Sequence, residues 1–133
     1  MFFCRLVAAF LFALLPVSAS AQDASPLSPC PSTPNCERVS RAFAVDPDTL
    51  FQAAQRVLAS LGPAALDVKP EAHRIHAVYR VALLFNDDVD VAVTPADDRS
   101  WLHIRSASRV GVSDLGVNKR RVQRFFSALS DEV

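Results

Sequence analysis

The densest chemistry in this chain lies in residues 105–118, Arg-Ser-Ala-Ser-Arg-Val-Gly-Val-Ser-Asp-Leu-Gly-Val-Asn, with two arginines, three serines, an aspartate, an asparagine and two of the three glycines. Arg105 and Arg109 offer planar forks for a carboxylate or phosphate, and Ser106, Ser108 and Ser113 offer hydroxyls. The glycines let backbone N–H groups turn outward. Next come Lys119, Arg120 and Arg121 in the first turn of the last helical pattern, where cations oppose the positive end of a helix dipole. A locally costly choice of that kind points to a small anionic ligand or a protein partner. The candidate ligand-binding residues are Arg105, Ser106, Ser108, Arg109, Ser113, Asp114, Asn118, Arg120 and Arg121.

Two other readings use the same residues. In one, Asp87, Asp88 and Asp90 form a structural polar network with the arginines and lock the last helix onto a sheet, with Arg109 as the expected partner of a buried carboxylate. In the other, a motif serine acts as the nucleophile of a small hydrolase with His73, His76 or His103 as base. That reading lacks a Gly-x-Ser-x-Gly elbow. The pair Asp87-Asp88 does not suit glycosidase chemistry, because adjacent strand residues point to opposite faces. The balance leans away from an enzyme, and no cofactor is expected.

The start of the chain reads as an address. Arg5 gives a positive n-region, residues 6–15 an apolar core, and Ala19-Ser20-Ala21 a small-residue cleavage pattern, so residues 1–21 are expected to be a signal peptide. The apolar run is shorter than a membrane span needs. The expectation is an exported protein, periplasmic or secreted, with no membrane span once the signal is cleaved. About 110 residues then remain, enough for one domain with one core. The formal net charge is zero and gives no hint of nucleic acid, which is not expected as a partner. From Arg99 onward, however, six arginines and one lysine face only Asp114, Asp131 and Glu132.

In an oxidising compartment Cys30 and Cys36 read as a disulfide. Their five-residue spacing, with no histidine close by, does not fit a zinc site, and no metal is expected. Residues 22–37 read as an extended, Pro- and Ser-rich arm, mobile up to the disulfide loop, and residues 38–133 as the folded domain.

Periodicity supplies the scaffold. Residues 39–45 alternate as a short edge strand, and Asp46-Pro47 caps a helix with Leu50, Phe51, Ala54, Val57, Leu58 and Leu61 on one face, stopped by Gly62-Pro63. Residues 75–85 alternate as a central strand, apolar on both faces toward Phe85. A hairpin follows with Val93 opposite Leu102, Val91 opposite Ile104 and Asp90 opposite Arg105. That register puts Asp87, Ser106 and Ser108 on the core face beyond the last apolar rung, where a carboxylate needs partners. Val122, Phe125, Phe126 and Leu129 mark the last helix, with Asn118 or Ser113 as candidate cap. The fold class is α+β: an antiparallel sheet of four or five strands with two helices packed on one face.

Three segments together resemble a known family: Cys30-Pro-Ser-Thr-Pro-Asn-Cys36, Phe85-Asn-Asp-Asp-Val89, and residues 105–121 as a whole. They are similar to the landmarks of the exported bacterial family known as domain of unknown function 1499. This chain has Glu37-Arg38 where members often carry small hydroxyl residues after the second cysteine. The resemblance implies a shared fold and export, and no mechanism.

Overall fold

A computed structural model describes residues 24–133, and the signal peptide expected at 1–21 lies outside the described residues. The elements in chain order are β1 (Cys36–Phe43), α1 (Pro47–Ser60), β2 (Ala65–Lys69), β3 (Arg74–Val81), β4 (Phe85–Ala96), β5 (Arg99–Ser108) and α2 (Val117–Glu132). The strands form one antiparallel sheet in the order β1-β5-β4-β3-β2. No strand pair needs a parallel crossover.

Each helix forms for a local reason and stays for a tertiary one. Asp46 accepts the backbone N–H of Thr49 at 2.9 Å, and Pro47 opens α1 where its missing donor costs nothing. The apolar faces of α1 (Leu50, Phe51, Val57, Leu58) and α2 (Val122, Phe125, Phe126, Leu129) share one core with Ile75, Val89, Val91, Leu102 and Ile104 from the sheet. Each such side chain contributes about 1.5–3 kcal/mol when fully buried. Both helices therefore cover the same face, called here the core face.

The hairpin has the expected register: Val93 faces Leu102, Val91 faces Ile104 and Asp90 faces Arg105. Two expectations need correction. The strand read over residues 75–85 ends at Val81; residues 82–84 form a turn, and Leu83 and Leu84 are exposed instead of covered. β3 does lie inside the sheet, between β4 and β2, but the middle strand is β4, which pairs with β3 and β5. The Cys30–Cys36 disulfide is present as expected, but the arm before it is fastened too: Leu27 is buried, and Arg38, on the opposite or outer face of the sheet, reaches the carbonyl of Ser25 at 3.4 Å.

Candidate functional site

Asp87 and Asp88 follow one another on β4, so one carboxylate enters the core face and the other the outer face. Asp87 is only 2% exposed and sits opposite Ser108. Its partner is Arg121, not Arg109: Nη2 of Arg121 lies 2.9 Å from Oδ2 of Asp87. Position 121 is one of those that α2 turns toward the sheet end, whereas Arg109 leaves β5 on the outer side. Nη1 of Arg121 donates to Ser106 Oγ at 3.0 Å and to Asn118 Oδ1 at 2.9 Å, and its guanidinium stands 5.0 Å from the Tyr79 ring. Burial pushes the Tyr79 hydroxyl up to about 12, against the pull of Arg121. The same hydroxyl donates to the carbonyl of Leu58 at 2.7 Å and ties α1 to β3.

Asn118 is the hub of this network and is fully buried. Its Oδ1 also accepts from Ser106 Oγ at 2.5 Å. Its Nδ2 lies within bonding reach of Asp114 Oδ2 (2.6 Å), Ser108 Oγ (2.9 Å) and the carbonyl of Asn35 (3.2 Å), so two N–H groups serve three acceptors. The helix start differs from expectation. Neither Asn118 nor Ser113 is the cap: Gly116 occupies that position with φ +79°, and the carboxylate of Asp114 takes the N–H groups of Gly116 and Asn118, each at 2.8 Å. Burial pushes the Asp114 carboxyl up, but these bonds together hold it below the usual carboxylate range. An aspartate placed there offsets the cations of the next turn.

On the outer face, Arg109 grips Asp88 with two hydrogen bonds of 2.9 Å. That grip, joined by the nearby charges of His76 and Arg105, holds the Asp88 carboxyl below its usual range. His76 spans Asp88 at 3.3 Å and Asp90 at 2.8 Å, and Arg105 lies across from Asp90. Of the expected site residues, then, Ser106, Ser108, Asp114, Asn118 and Arg121 converge on the core face with Asp87. Arg105 and Arg109 are on the other side of the sheet, with Asp88 and Asp90. None of the motif serines is hydrogen-bonded to a histidine: His103 meets Ser40 and Thr94, and His73 meets Asp48. Among the described residues no group of His, Cys, Asp and Glu is arranged to hold a metal.

Two cavities adjoin this network and meet at Val117, which lines both. One, of about 380 Å³, has walls of Val81, Phe85, Val110 and Val117 and a polar floor of Asp87, Ser108, Ser113 and Asp114. The other, of about 300 Å³, is lined by Leu61, Gly62, Tyr79, Arg80, Arg120, Arg121 and Arg124 and has no carboxylate in its lining. Sequence reasoning named Arg120 and Arg121 but missed Arg124, Arg80, Tyr79 and the apolar walls. A signal was present, since positions 117, 120, 121 and 124 share one helix face. A third cavity under the arm, lined by Leu27, Lys69, His76 and Asp90 among others, is less suited to a ligand because its charges already answer one another.

A twisted antiparallel sheet with two helices on one face, the second of them closing over polar residues at the sheet end, defines an α+β class shared with several solved structures. A protein of Chromobacterium violaceum is 14% identical with a TM-score of 0.53, over 73% of this chain and 94% of that one. One from Thermus thermophilus is 11% identical with a TM-score of 0.50, over 73% and 95%. The di-domain ARO/CYC protein StfQ of the steffimycin biosynthetic pathway is 9% identical with a TM-score of 0.56, over 71% of this chain and 44% of that one. At such identities the likeness concerns the fold alone. No curated protein matches the chain by sequence. Residues 26–129 match the family described as Protein of unknown function (DUF1499), and the chain belongs to that family.

Proposed function

We propose that this is an exported, non-enzymatic protein that binds a small amphiphile carrying an anionic group. The observation that carries the reading is the arginine-lined cavity without a carboxylate, opening beside an apolar one across a single residue, Val117. Arg121 is already matched by Asp87, Ser106 and Asn118, so the cations for a ligand are Arg120 and Arg124, with Arg80 at the edge. Their guanidiniums suit a phosphate or carboxylate head, and the walls of Val81, Phe85 and Val110 suit a short apolar tail. The disulfide is compatible with export, as is the lack, among the described residues, of a helix long and apolar enough to cross a membrane.

The test is thermal denaturation of the chain from Gln22 onward, which holds the whole described fold, with octyl phosphate, octanol and octylamine. Octyl phosphate should raise the melting temperature, by the equivalent of about 2.7 kcal/mol at a hundredfold excess over Kd. Octanol should do far less and octylamine nothing. The Arg120→Ala/Arg124→Ala variant should stay folded and lose the gain. Equal stabilisation by octanol, or an unchanged gain in the variant, would refute the anionic site, and no shift with any of the three would favour a purely structural network.

A further inference from the structure

Six of the seven exposed large apolar side chains among the described residues, Leu83, Leu84, Phe85, Val110, Val112 and Leu115, lie on or directly beside just two loops, Phe85 opening β4. These are the β3–β4 turn and the segment between β5 and α2. The two are neighbours: Arg109 donates its backbone N–H to the carbonyl of Asn86 at 3.1 Å, and Val81, Phe85, Val110 and Gly111 line one cavity. Leu83, Leu84 and Leu115 are 86%, 84% and 86% exposed, far beyond what partial packing leaves. Scattered exposed leucines need no explanation, but such a concentration at one end of a small domain does.

The backbone adds a second observation. Leu83 and Leu115 hold left-handed conformations, with φ of 66° and 53°, and Ala82 does too, with φ of 50°. Glycine would be cheaper at each of these positions. The turn thus keeps bulky aliphatic groups pointing into solvent at a local cost.

Around these tips the charge is positive. Arg80 precedes the turn, Lys119 and Arg120 follow the second loop, and the intervening Asp114 faces inward onto Gly116 and Asn118. We infer that this end of the molecule docks on an anionic lipid bilayer, with Leu83, Leu84, Val112 and Leu115 inserted among the acyl chains and the cations at the headgroups. Aliphatic tips on two separate loops, ringed by arginine and lysine, match an interface of apolar depth and negative surface. A protein partner would more often be met by a flatter patch with tyrosine or tryptophan anchors. The inserting side chains stand apart from the proposed ligand site, because none of Leu83, Leu84, Val112 and Leu115 lines either of its two cavities, although Arg80 and Arg120, which line one of them, also border the docking end.

The experiment is co-sedimentation of the chain from Gln22 onward with vesicles of phosphatidylcholine, alone or mixed equally with phosphatidylglycerol. Binding is expected to the mixed vesicles and to weaken in high salt. The Leu83→Ser/Leu84→Ser variant, checked for folding by circular dichroism and for an unchanged response to octyl phosphate, should bind roughly tenfold less or weaker still. A Leu84→Trp variant should show emission quenched by brominated acyl chains, while Trp101, near the opposite end of β5, should not. Failure to sediment with the mixed vesicles, binding unaffected by the serine changes, or a dimer that those changes abolish would each overturn the proposal.

Discussion

Asp87 and Asp88 are neighbours in sequence, each paired with an arginine of the same motif, and the two pairs are physically unlike. Asp87 and Arg121 meet inside, with side chains 3% and 12% exposed, whereas Asp88 and Arg109 meet with side chains 27% and 45% exposed. The exposed pair has the better hydrogen-bond geometry, two bonds of 2.9 Å, while the buried Oδ2 of Asp87 meets Arg121 as a charge contact with no hydrogen bond. Geometry alone would rank them in the wrong order. Water screens the outer pair, whereas the inner charges are shut away from it and Asp87 depends on Arg121 to balance its charge. The difference teaches that the helix is locked from within, and that the outer grip is a surface feature.

The most severe break of this comparison is Arg121→Met, which strands the Asp87 carboxylate and should cost about 3–5 kcal/mol in urea unfolding, with much of that recovered in Asp87→Asn/Arg121→Met. A cost near zero would mean that Asp87 is solvated. Next in size is Asn118→Leu. It leaves Ser106, Ser108 and the Asn35 carbonyl short of partners, and a loss of about 2–3 kcal/mol is expected from the same measurement. Replacing Cys30 and Cys36 by serine should cost about 2 kcal/mol, the loop-closure value for so small a ring, and lower the melting temperature under non-reducing conditions.

The outer face should respond to pH. His103 is buried there between Ser40 and Thr94, and burial, then the charges of Arg38 and Arg74, hold its pKa below the ordinary imidazole value. The fold thus favours the neutral ring. Its contribution is present above about pH 6.5, where the unfolded ring is also neutral, and is lost as pH falls toward the folded pKa. Denaturation midpoints across that window should fall for the natural chain and stay flatter for His103→Gln. Least of all should be Arg109→Ala, a small loss that shrinks with added salt. The contribution of the intact pair should be present above the usual aspartate range and fade as pH drops below it, because Arg109 holds the Asp88 carboxyl low. A loss as large as that of Arg121→Met would erase the distinction between the two pairs.

Much of the scaffold was legible because it is local. Asp46-Pro47 announces α1, the alternation of Val89, Val91 and Val93 fixes the hairpin faces, and that register alone forces Asp87, Ser106 and Ser108 inward. The identity of the arginine that answers Asp87 was not legible, because it depends on how α2 rotates against the sheet. Nor was the role of Asn118, which reads as a cap candidate in sequence and becomes a hub only when Asn35 and Ser108 reach it. The apolar run through Leu84 misled for a related reason: period two cannot tell a covered strand from a turn whose leucines remain in water.

The pairing of β1 has a consequence for how the molecule is assembled. Cys36 lies opposite Ala107 and Phe43 opposite Ser100, so the first strand of the sheet is closed by the last. No chain that stops short of β5 can place β1, which during synthesis waits as an open edge with unpaired N–H and carbonyl groups. Contacts so distant in sequence make for slow folding. The small ring at the foot of β1 can form early, before any sheet exists, and so gives the waiting strand a fixed end from which to dock.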